Sequence, residues 1–272
     1  MSHLMSHAMG HKHQLRRRLT ALLAGITLLL PVWAQAQDAD VPETPMADPA
    51  AVQLVTRADA IRFPGESFQT EITVRNFSDG QQQDERKFRV LSRGNENTIV
   101  LSTEPASERG QALLMRGRDL WIFMPSVSQP VRLSLAQRLT GQVANGDLAR
   151  ANFASDYTPS IIGREEFDGG ATIVLDLTST DRGVTYSKVK YWVAEKDGRP
   201  LKAEFYALSG RLLKTAHYEE FKELAGRLRP TRLVMEDALK QGEVSVLTYD
   251  TMTVRDLPER MFTREYLKRL GQ

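Results

Sequence analysis

Few residues in this sequence could carry out catalysis. His217 is the one histidine after residue 13, and no Gly-x-Ser-x-Gly turn accompanies it, so a Ser-His-Asp triad would lack an identifiable nucleophile. We therefore interpret His217 as a strand residue without a catalytic role. A hydrolase remains the alternative, and loss of an activity in His217→Ala would support it.

Two pairs of adjacent acids, Glu165-Glu166 and Glu219-Glu220, are the other candidates. Neighbouring residues of a strand point to opposite faces, so neither pair converges on one substrate, and both are typical of a solvated edge or turn. A glycosidase pair built from carboxylates distant in sequence stays open. The chain has no cysteine, phosphate-binding loop, dinucleotide motif or histidine-rich metal spacing. We predict a protein that is not an enzyme and has no cofactor or metal.

Residues 1–36 have the layout of a cleavable signal peptide. Basic residues at 12 and 16–18 precede an apolar stretch at 19–33, which is too short to favour a membrane span, and Ala34-Gln35-Ala36 offers a small-x-small cleavage site. The arginines leave twin-arginine export open beside the general secretory route. No cysteine follows the cleavage site, so no lipid anchor is expected. We predict secretion into the periplasm, with cleavage near Ala36.

Removal of this leader would change the charge balance. Four of the 36 basic residues lie in it, which leaves 32 against 34 acidic residues in the rest of the chain. The basic pI of about 8.8 is therefore due largely to the leader, and nucleic acid is not an expected partner. With 41% hydrophobic and 26% charged residues, the composition is that of a globular protein stabilised by a packed core.

The remaining sequence predicts a mainly β protein with helices near both ends. Residues 37–49 contain three prolines and are predicted to be a flexible lead-in, whereas 50–272 are predicted to form one domain. Near-helical apolar spacing predicts a helix at 50–61, capped by Asp48. From residue 67 apolar and polar residues alternate, which indicates half-buried strands separated by tight turns. The predicted strands are 67–75, 86–93, 98–103, 112–116, 120–124, 131–133, 161–167, 172–178, 185–194, 201–208, 212–221, 231–237 and 243–254, with loops and short helices at 135–157 and a helix at 258–270.

The apolar run at 120–124 interrupts this alternation. Its sequence Leu-Trp-Ile-Phe-Met makes both strand faces apolar, so the face away from the core needs either a covering helix or a ligand, and both remain open at this point. Met115 and Met124 favour a ligand cavity, because flexible thioether side chains adapt to variable apolar ligands. A sheet of about eleven or twelve strands must curl, close or split, and a curled sheet can enclose such a cavity.

The segment 117–130 carries a specific resemblance. Its sequence Gly-Arg-Asp-Leu-Trp-Ile-Phe-Met-Pro-Ser-Val-Ser-Gln-Pro resembles the LolA family and the related outer-membrane lipoprotein-sorting proteins, in which a Gly-Lys/Arg-x-Leu-Trp turn and strand precede a proline. Residues 152–157 resemble a serine-aspartate-aromatic segment of the longer members, and the similarity extends over most of 65–255. The resemblance implies a half-open antiparallel β-barrel covered by helices.

The same resemblance implies a function. LolA-like proteins are non-catalytic periplasmic carriers, which hold acyl chains of lipoproteins or lipids in a hydrophobic cavity and transfer them toward the outer membrane. The implied partners are lipoprotein acyl chains or free lipid, an inner-membrane transporter of the ABC or RND type, and an outer-membrane acceptor. The alternative is a periplasmic adaptor or sensor of the same fold that partners an inner-membrane lipid exporter or regulator.

One face of the sheet is predicted to line this cavity, with few charges. If that face were filled by the protein's own side chains, the carrier hypothesis would lose its physical basis. In the family, an early-strand arginine followed by proline holds the lid through hydrogen bonds, but no proline follows Arg89 or Arg93 here. The predicted lipid-binding residues are Phe68, Ile72, Val74, Phe88, Val90, Ile99, Leu101, Met115, Trp121, Phe123, Val189, Tyr191, Val193, Leu201 and Phe205.

Overall fold

The computed structural model describes residues 48–270, apart from residues 95, 128 and 151. The predicted signal peptide and all but the last two residues of the predicted lead-in lie outside this part, and the division of the chain into leader, lead-in and one domain stays a prediction. Among the described residues, no helix is long and apolar enough to span a membrane.

The first element is helix α1 (Pro49–Arg62), close to the prediction. The Asp48 carboxylate accepts the Ala50 N–H, and proline at the first helical position has no N–H to leave unsatisfied. The helix ends where Phe63 turns extended before Pro64, since the residue before a proline disfavours helical geometry. One face of α1 is buried, and the residues on it are Ala51, Val55, Ala58 and Arg62.

Fifteen strands follow among the described residues. They are β1 (Phe68–Ser78), β2 (Gln81–Arg93), β3 (Asn97–Glu104), β4 (Ala112–Arg116), β5 (Asp119–Phe123), β6 (Val131–Leu133), β7 (Arg138–Thr140), β8 (Val143–Ala144), β9 (Tyr157–Phe167), β10 (Gly170–Ser179), β11 (Lys188–Ala194), β12 (Pro200–Tyr206), β13 (Leu212–Leu224), β14 (Arg227–Asp237) and β15 (Val244–Val254). Two short helices complete the chain, α2 (Asn145–Ala149) and α3 (Arg264–Leu270).

Thirteen strands form one antiparallel sheet in the order β6-β5-β4-β3-β2-β1-β15-β14-β13-β12-β11-β10-β9, and β7 pairs with β8 alone. The middle of this sheet joins the first strand to the last, with Phe68 opposite Val254. The outer strands β6 and β9 do not pair with each other, so the sheet is not closed. The predicted mainly β, half-open fold with covering helices is confirmed, with somewhat more strands than expected.

Helix α1 lies against the inner face of the curled sheet and is held at both ends. The Asp48 N–H donates to the Pro159 carbonyl of β9. At the other end, Arg229 of β14 donates to the carbonyls of Ala60 and Ile61, which have no partner within the helix. These contacts fix the helix across the inside of the sheet, and its small buried residues allow close packing there.

Two elements differ from the sequence-based expectation. The stretch 135–157, predicted as loops and short helices, also contains the β7–β8 hairpin and the start of β9. The predicted helix at 258–270 is a 3-10 turn at Glu259–Met261 followed by α3. The helical turn stops at Phe262, whose backbone leaves helical geometry (ψ 54°), and the chain becomes helical again at Arg264.

Candidate functional site

The inner face of the sheet surrounds a cavity of about 30 Å³. This space holds one or two water molecules, whereas pockets for organic ligands have about 300–1,000 Å³. The expectation of an open acyl-chain cavity is therefore wrong for this conformation. Aromatic side chains of the protein line this small cavity, among them Phe63, Phe153, Tyr157, Tyr186, Phe205 and Tyr218.

Phe153 is the lining side chain with the most aromatic contacts in this space. It comes from the irregular segment between α2 and β9, and its ring meets those of Tyr157, Tyr191 and Phe205 edge-on at centroid distances of 5.7, 5.3 and 6.5 Å. The Arg62 guanidinium carbon lies 4.3 Å from the centre of the same ring. Phe153 is thus a plug, which is held by aromatic contacts and by one cation–π contact from α1.

Asp59 of α1 fastens the segment that carries the plug. Its carboxylate accepts the backbone N–H groups of Phe153 at 2.9 Å and Ala154 at 2.8 Å, and Arg62 donates to it at 3.2 Å. Burial raises the pKa of Asp59 to about 6, although Arg62 and the two N–H groups oppose the shift. The helix and the plug segment are therefore joined by the largely buried Asp59 carboxylate and by the Arg62 cation–π contact.

A second buried ion pair lies near the other side of the cavity. Lys214 of β13 donates to the Asp147 carboxylate at 2.7 Å, and the Tyr186 hydroxyl donates to the same carboxylate at 2.8 Å. Burial lowers the pKa of Lys214, and Asp147 opposes that shift. Arg150 and Asp156 form a further buried pair, with Nη2 and Oδ1 2.7 Å apart. The interior is thus more polar than the low-charge lining predicted from the sequence.

A larger space lies where the β9–β10 hairpin, the β11–β12 turn and β13 meet. This β9–β13 groove has about 620 Å³, within the range of ligand pockets. Its apolar lining includes Ala171, Leu201 and Phe221, and the Arg199 guanidinium covers the Phe221 ring at 5.0 Å. Tyr218 lines both the groove and the interior cavity. Tyr218 therefore lies between the groove and the interior cavity.

The structure brings most of the predicted lipid-binding residues to one face. The inner cluster contains Phe68, Ile72, Val74, Phe88, Val90, Met115, Val189, Tyr191, Val193 and Phe205. Leu201 lines the β9–β13 groove. Their role in lipid binding stays a prediction.

Four predicted residues belong to the opposite face, and their assignment to the lining is wrong. Ile99, Leu101, Trp121 and Phe123 pack in a separate outer cluster. The reason is the register of the sheet. Val90 faces inward and pairs with Val100, so the odd-numbered neighbours on β3 must point outward.

The outer cluster also explains the apolar run at 120–124. Its outward face is covered by the C-terminal segment, through Leu257, Phe262 and Leu267. Of the two possibilities left open by the sequence, a cover by the protein's own helix applies to this face. The inward residues Leu120 and Ile122 join the inner cluster.

Neither arginine considered as the lid holder has that role. Arg89 is exposed and donates to Glu71 at 2.6 Å, and Arg93 pairs with Glu259 at 3.5 Å. The arginine that contacts the plug is Arg62, which sequence analysis missed. Its position four residues after Ala58 on the buried face of α1 was the available signal. Phe153 and Asp59 gave no periodic signal.

The residues considered for catalysis are dispersed. His217 stacks on Phe167 at 6.1 Å, Glu165 accepts the indole N–H of Trp192 at 2.9 Å, and Glu219 pairs with Arg232. No group of three or more His, Asp or Glu side chains in the described part of the chain is placed to hold a metal ion.

Comparison with known proteins assigns the fold to a family. The crystal structure of a LolA superfamily protein from Nitrosomonas europaea is 59% identical, covers 79% of this chain and 98% of its own, and superposes with a TM-score of 0.76. The chain belongs to the LolA superfamily. A family profile described as that of an uncharacterized protein matches residues 94–269. Among curated proteins, none matches the chain significantly.

Two further LolA-like structures share the fold at lower identity. An outer membrane lipoprotein-sorting protein domain from Vibrio parahaemolyticus is 22% identical, with 81% of this chain and 99% of that one covered and a TM-score of 0.68. A DUF1329 family protein from Desulfovibrio piger is 21% identical, with coverages of 82% and 100% and a TM-score of 0.70.

Proposed function

We propose that this protein is a periplasmic carrier, which binds acyl chains of lipoproteins or lipids on the inner face of its sheet and moves them toward the outer membrane. The observation that carries the proposal is membership of the LolA superfamily, in a chain whose α1 covers an apolar inner face. An inner-membrane transporter would supply the lipidated cargo, and an outer-membrane acceptor would receive it.

The energetics of acyl chains explain why a carrier must enclose them. Each methylene removed from water contributes about 0.8 kcal/mol, so a chain of roughly sixteen carbons represents about 12 kcal/mol. That cargo does not cross an aqueous compartment unaided. A carrier that must also release it benefits from an interior that closes again, because closure of the empty state offsets part of the binding free energy.

The closed interior suggests how cargo would enter. The β9–β13 groove is already large enough for an acyl chain, and only Tyr218 is shared between its lining and that of the interior cavity. Displacement of Phe153 would extend this space beneath α1. The polar bonds of Asp59 to the plug segment are few, so α1 and that segment can separate without breaking the sheet.

Lipid carriage is tested by extracting the purified protein and identifying bound lipid by mass spectrometry, together with titration of a fluorescent fatty acid. Ala171 is exposed and lines the groove, so Ala171→Trp should reduce fatty-acid affinity at least about tenfold, the effect of losing roughly 1.4 kcal/mol of binding. Ala106 is exposed outside the groove, so Ala106→Trp is the matched control. Protein that carries no lipid and binds no fatty acid would refute the carrier proposal.

A further inference from the structure

The end of the barrel formed by the β12–β13 and β14–β15 turns exposes large apolar side chains. Leu208 is 81% exposed and Leu239 is 61% exposed, which are the highest values among the large hydrophobic residues described. The two turns are tied together, because the Ala238 N–H donates to the Leu213 carbonyl. Two leucines thus project on adjacent turns at one end of the molecule. The β9–β13 groove lies at the opposite strand ends.

A pocket of about 260 Å³ opens beside these leucines. Arg138, Arg211 and Lys214 line it, with Asp237 as the one acid in the lining and Leu239 at its edge. The Asp237 carboxylate accepts the backbone N–H groups of Leu239 and Lys240, so its charge is directed at the turn. We refer to this pocket and its two leucines as the basic end.

Two of the three cations at the basic end are unpaired. Lys214 is bound to Asp147, but neither Arg138 nor Arg211 has an ion pair or side-chain hydrogen bond with any described residue. Arg138 also contributes to the lowered pKa of Lys214, which places both positive charges in the same region. An anion that entered the pocket would meet guanidinium groups with free donors, which favour phosphate oxygens.

We propose that the basic end docks on a bilayer that contains anionic phospholipid, with a lipid phosphate in the pocket and Leu208 and Leu239 in the interfacial layer. Exposed apolar side chains next to cations are the combination that binds such surfaces, since burial of the leucines and attraction to the headgroups act together. A free phosphate would use the cations and leave the leucines without a role. Tyr186 lines both this pocket and the interior cavity, so docking would take place next to the cargo space.

The test is co-sedimentation of the full chain with vesicles of phosphatidylcholine alone or with about 30% phosphatidylglycerol. We expect binding to the anionic vesicles that is lost at high salt. Arg138→Ala/Arg211→Ala should weaken it about 25-fold, from roughly fivefold for each cation near a charged membrane. Leu208→Ser/Leu239→Ser should also weaken it. Both pairs are exposed, so circular dichroism melts should match the wild type.

The matched control is Arg227→Ala/Leu228→Ser, which removes an exposed arginine and a leucine that is 51% exposed from another turn region. This variant should bind vesicles like the wild type. The proposal would be overturned if the protein bound both vesicle types equally, or if the control variant lost as much binding as the test variants. It would also be overturned if millimolar inorganic phosphate displaced the protein from vesicles while the leucine variant bound like the wild type. Fatty-acid binding is measured without vesicles, so failure here leaves the carrier proposal intact, and the reverse also holds.

Discussion

Replacing Phe153 by alanine tests whether the plug and the cargo compete for the same space. The ring lines the interior cavity and contacts Tyr157, Tyr191 and Phe205, with Arg62 over its face. Its removal enlarges the cavity directly beneath α1. The variant should therefore be less stable and yet bind acyl chains more tightly, two effects of opposite sign from one substitution.

The size of both effects follows from the contacts. Truncation of a buried phenylalanine costs about 3–5 kcal/mol, and a desolvated cation–π contact of about 2 kcal/mol places this site toward the upper end. If only about 3 kcal/mol of that free energy opposes opening in the wild type, the apparent affinity for an acyl chain is reduced roughly 100-fold. We expect Phe153→Ala to bind the acyl chain at least about tenfold more tightly than the wild type does.

The assay combines urea unfolding with titration of a fluorescent fatty acid. Phe262→Ala is the matched control, because this phenylalanine is fully buried but belongs to the outer cluster. Both variants should lose stability, and only Phe153→Ala should gain affinity. If the two variants bound fatty acid alike, or if Phe153→Ala bound it more weakly, the idea that the plug occupies the cargo space would be wrong.

Three further predictions concern buried polar groups and one glycine. Asp59 has a pKa of about 6 in the folded state against 3.8 in the unfolded state, so its contribution to the free energy of unfolding falls by about 3 kcal/mol as the pH rises between these values. In urea titrations between pH 4 and 7, the stability of Asp59→Asn should therefore decline less than that of the wild type. An unchanged decline would contradict the assignment. Lys214→Met should lower the free energy of unfolding in guanidinium by about 3–5 kcal/mol, because it leaves the buried Asp147 carboxylate without its partner. Adding Asp147→Asn should restore part of that stability. Purely additive losses of stability would show that the pair is not coupled. Gly141 has a φ of +48°, and a Cβ added there would lie 1.9 Å from the Asn76 side-chain oxygen. Calorimetry of Gly141→Ala should therefore show a free energy of unfolding lower by about 1–3 kcal/mol. Unchanged stability would exclude that close approach.

Local patterns were sufficient to predict most secondary structure. Asp48 and Pro49 marked the start of α1, and strict alternation located strands such as β1, because each signal lies within a few residues of chain. Face assignment failed at β3 and β5. The outward face of β3 and both faces of β5 are apolar, so the inward residues follow only from the pairing of the strands, which sets Val90 opposite Val100 and Leu114 opposite Trp121.

The polar interior could not be predicted in the same way. Asp59 bonds to the backbone of Phe153, which is 94 residues away, and Lys214 reaches Asp147 across 67 residues. No spacing rule connects such positions in one sequence. Only Arg62 was indicated by a local pattern, because it is a charged residue on the otherwise apolar buried face of α1. Because no local pattern indicates contacts between such distant residues, the cavity was expected to be open rather than plugged.

The pairing of β1 with β15 sets when this chain can fold. Its central ladder joins residue 68 to residue 254, so the middle of the sheet cannot form until residue 254 has left the ribosome. A sheet that cannot be completed early in synthesis suits translocation in an extended state, as a leader of the predicted kind would require. Shortening the protein by its last strand would remove that central partner and leave two half-sheets, each with an exposed edge prone to aggregation.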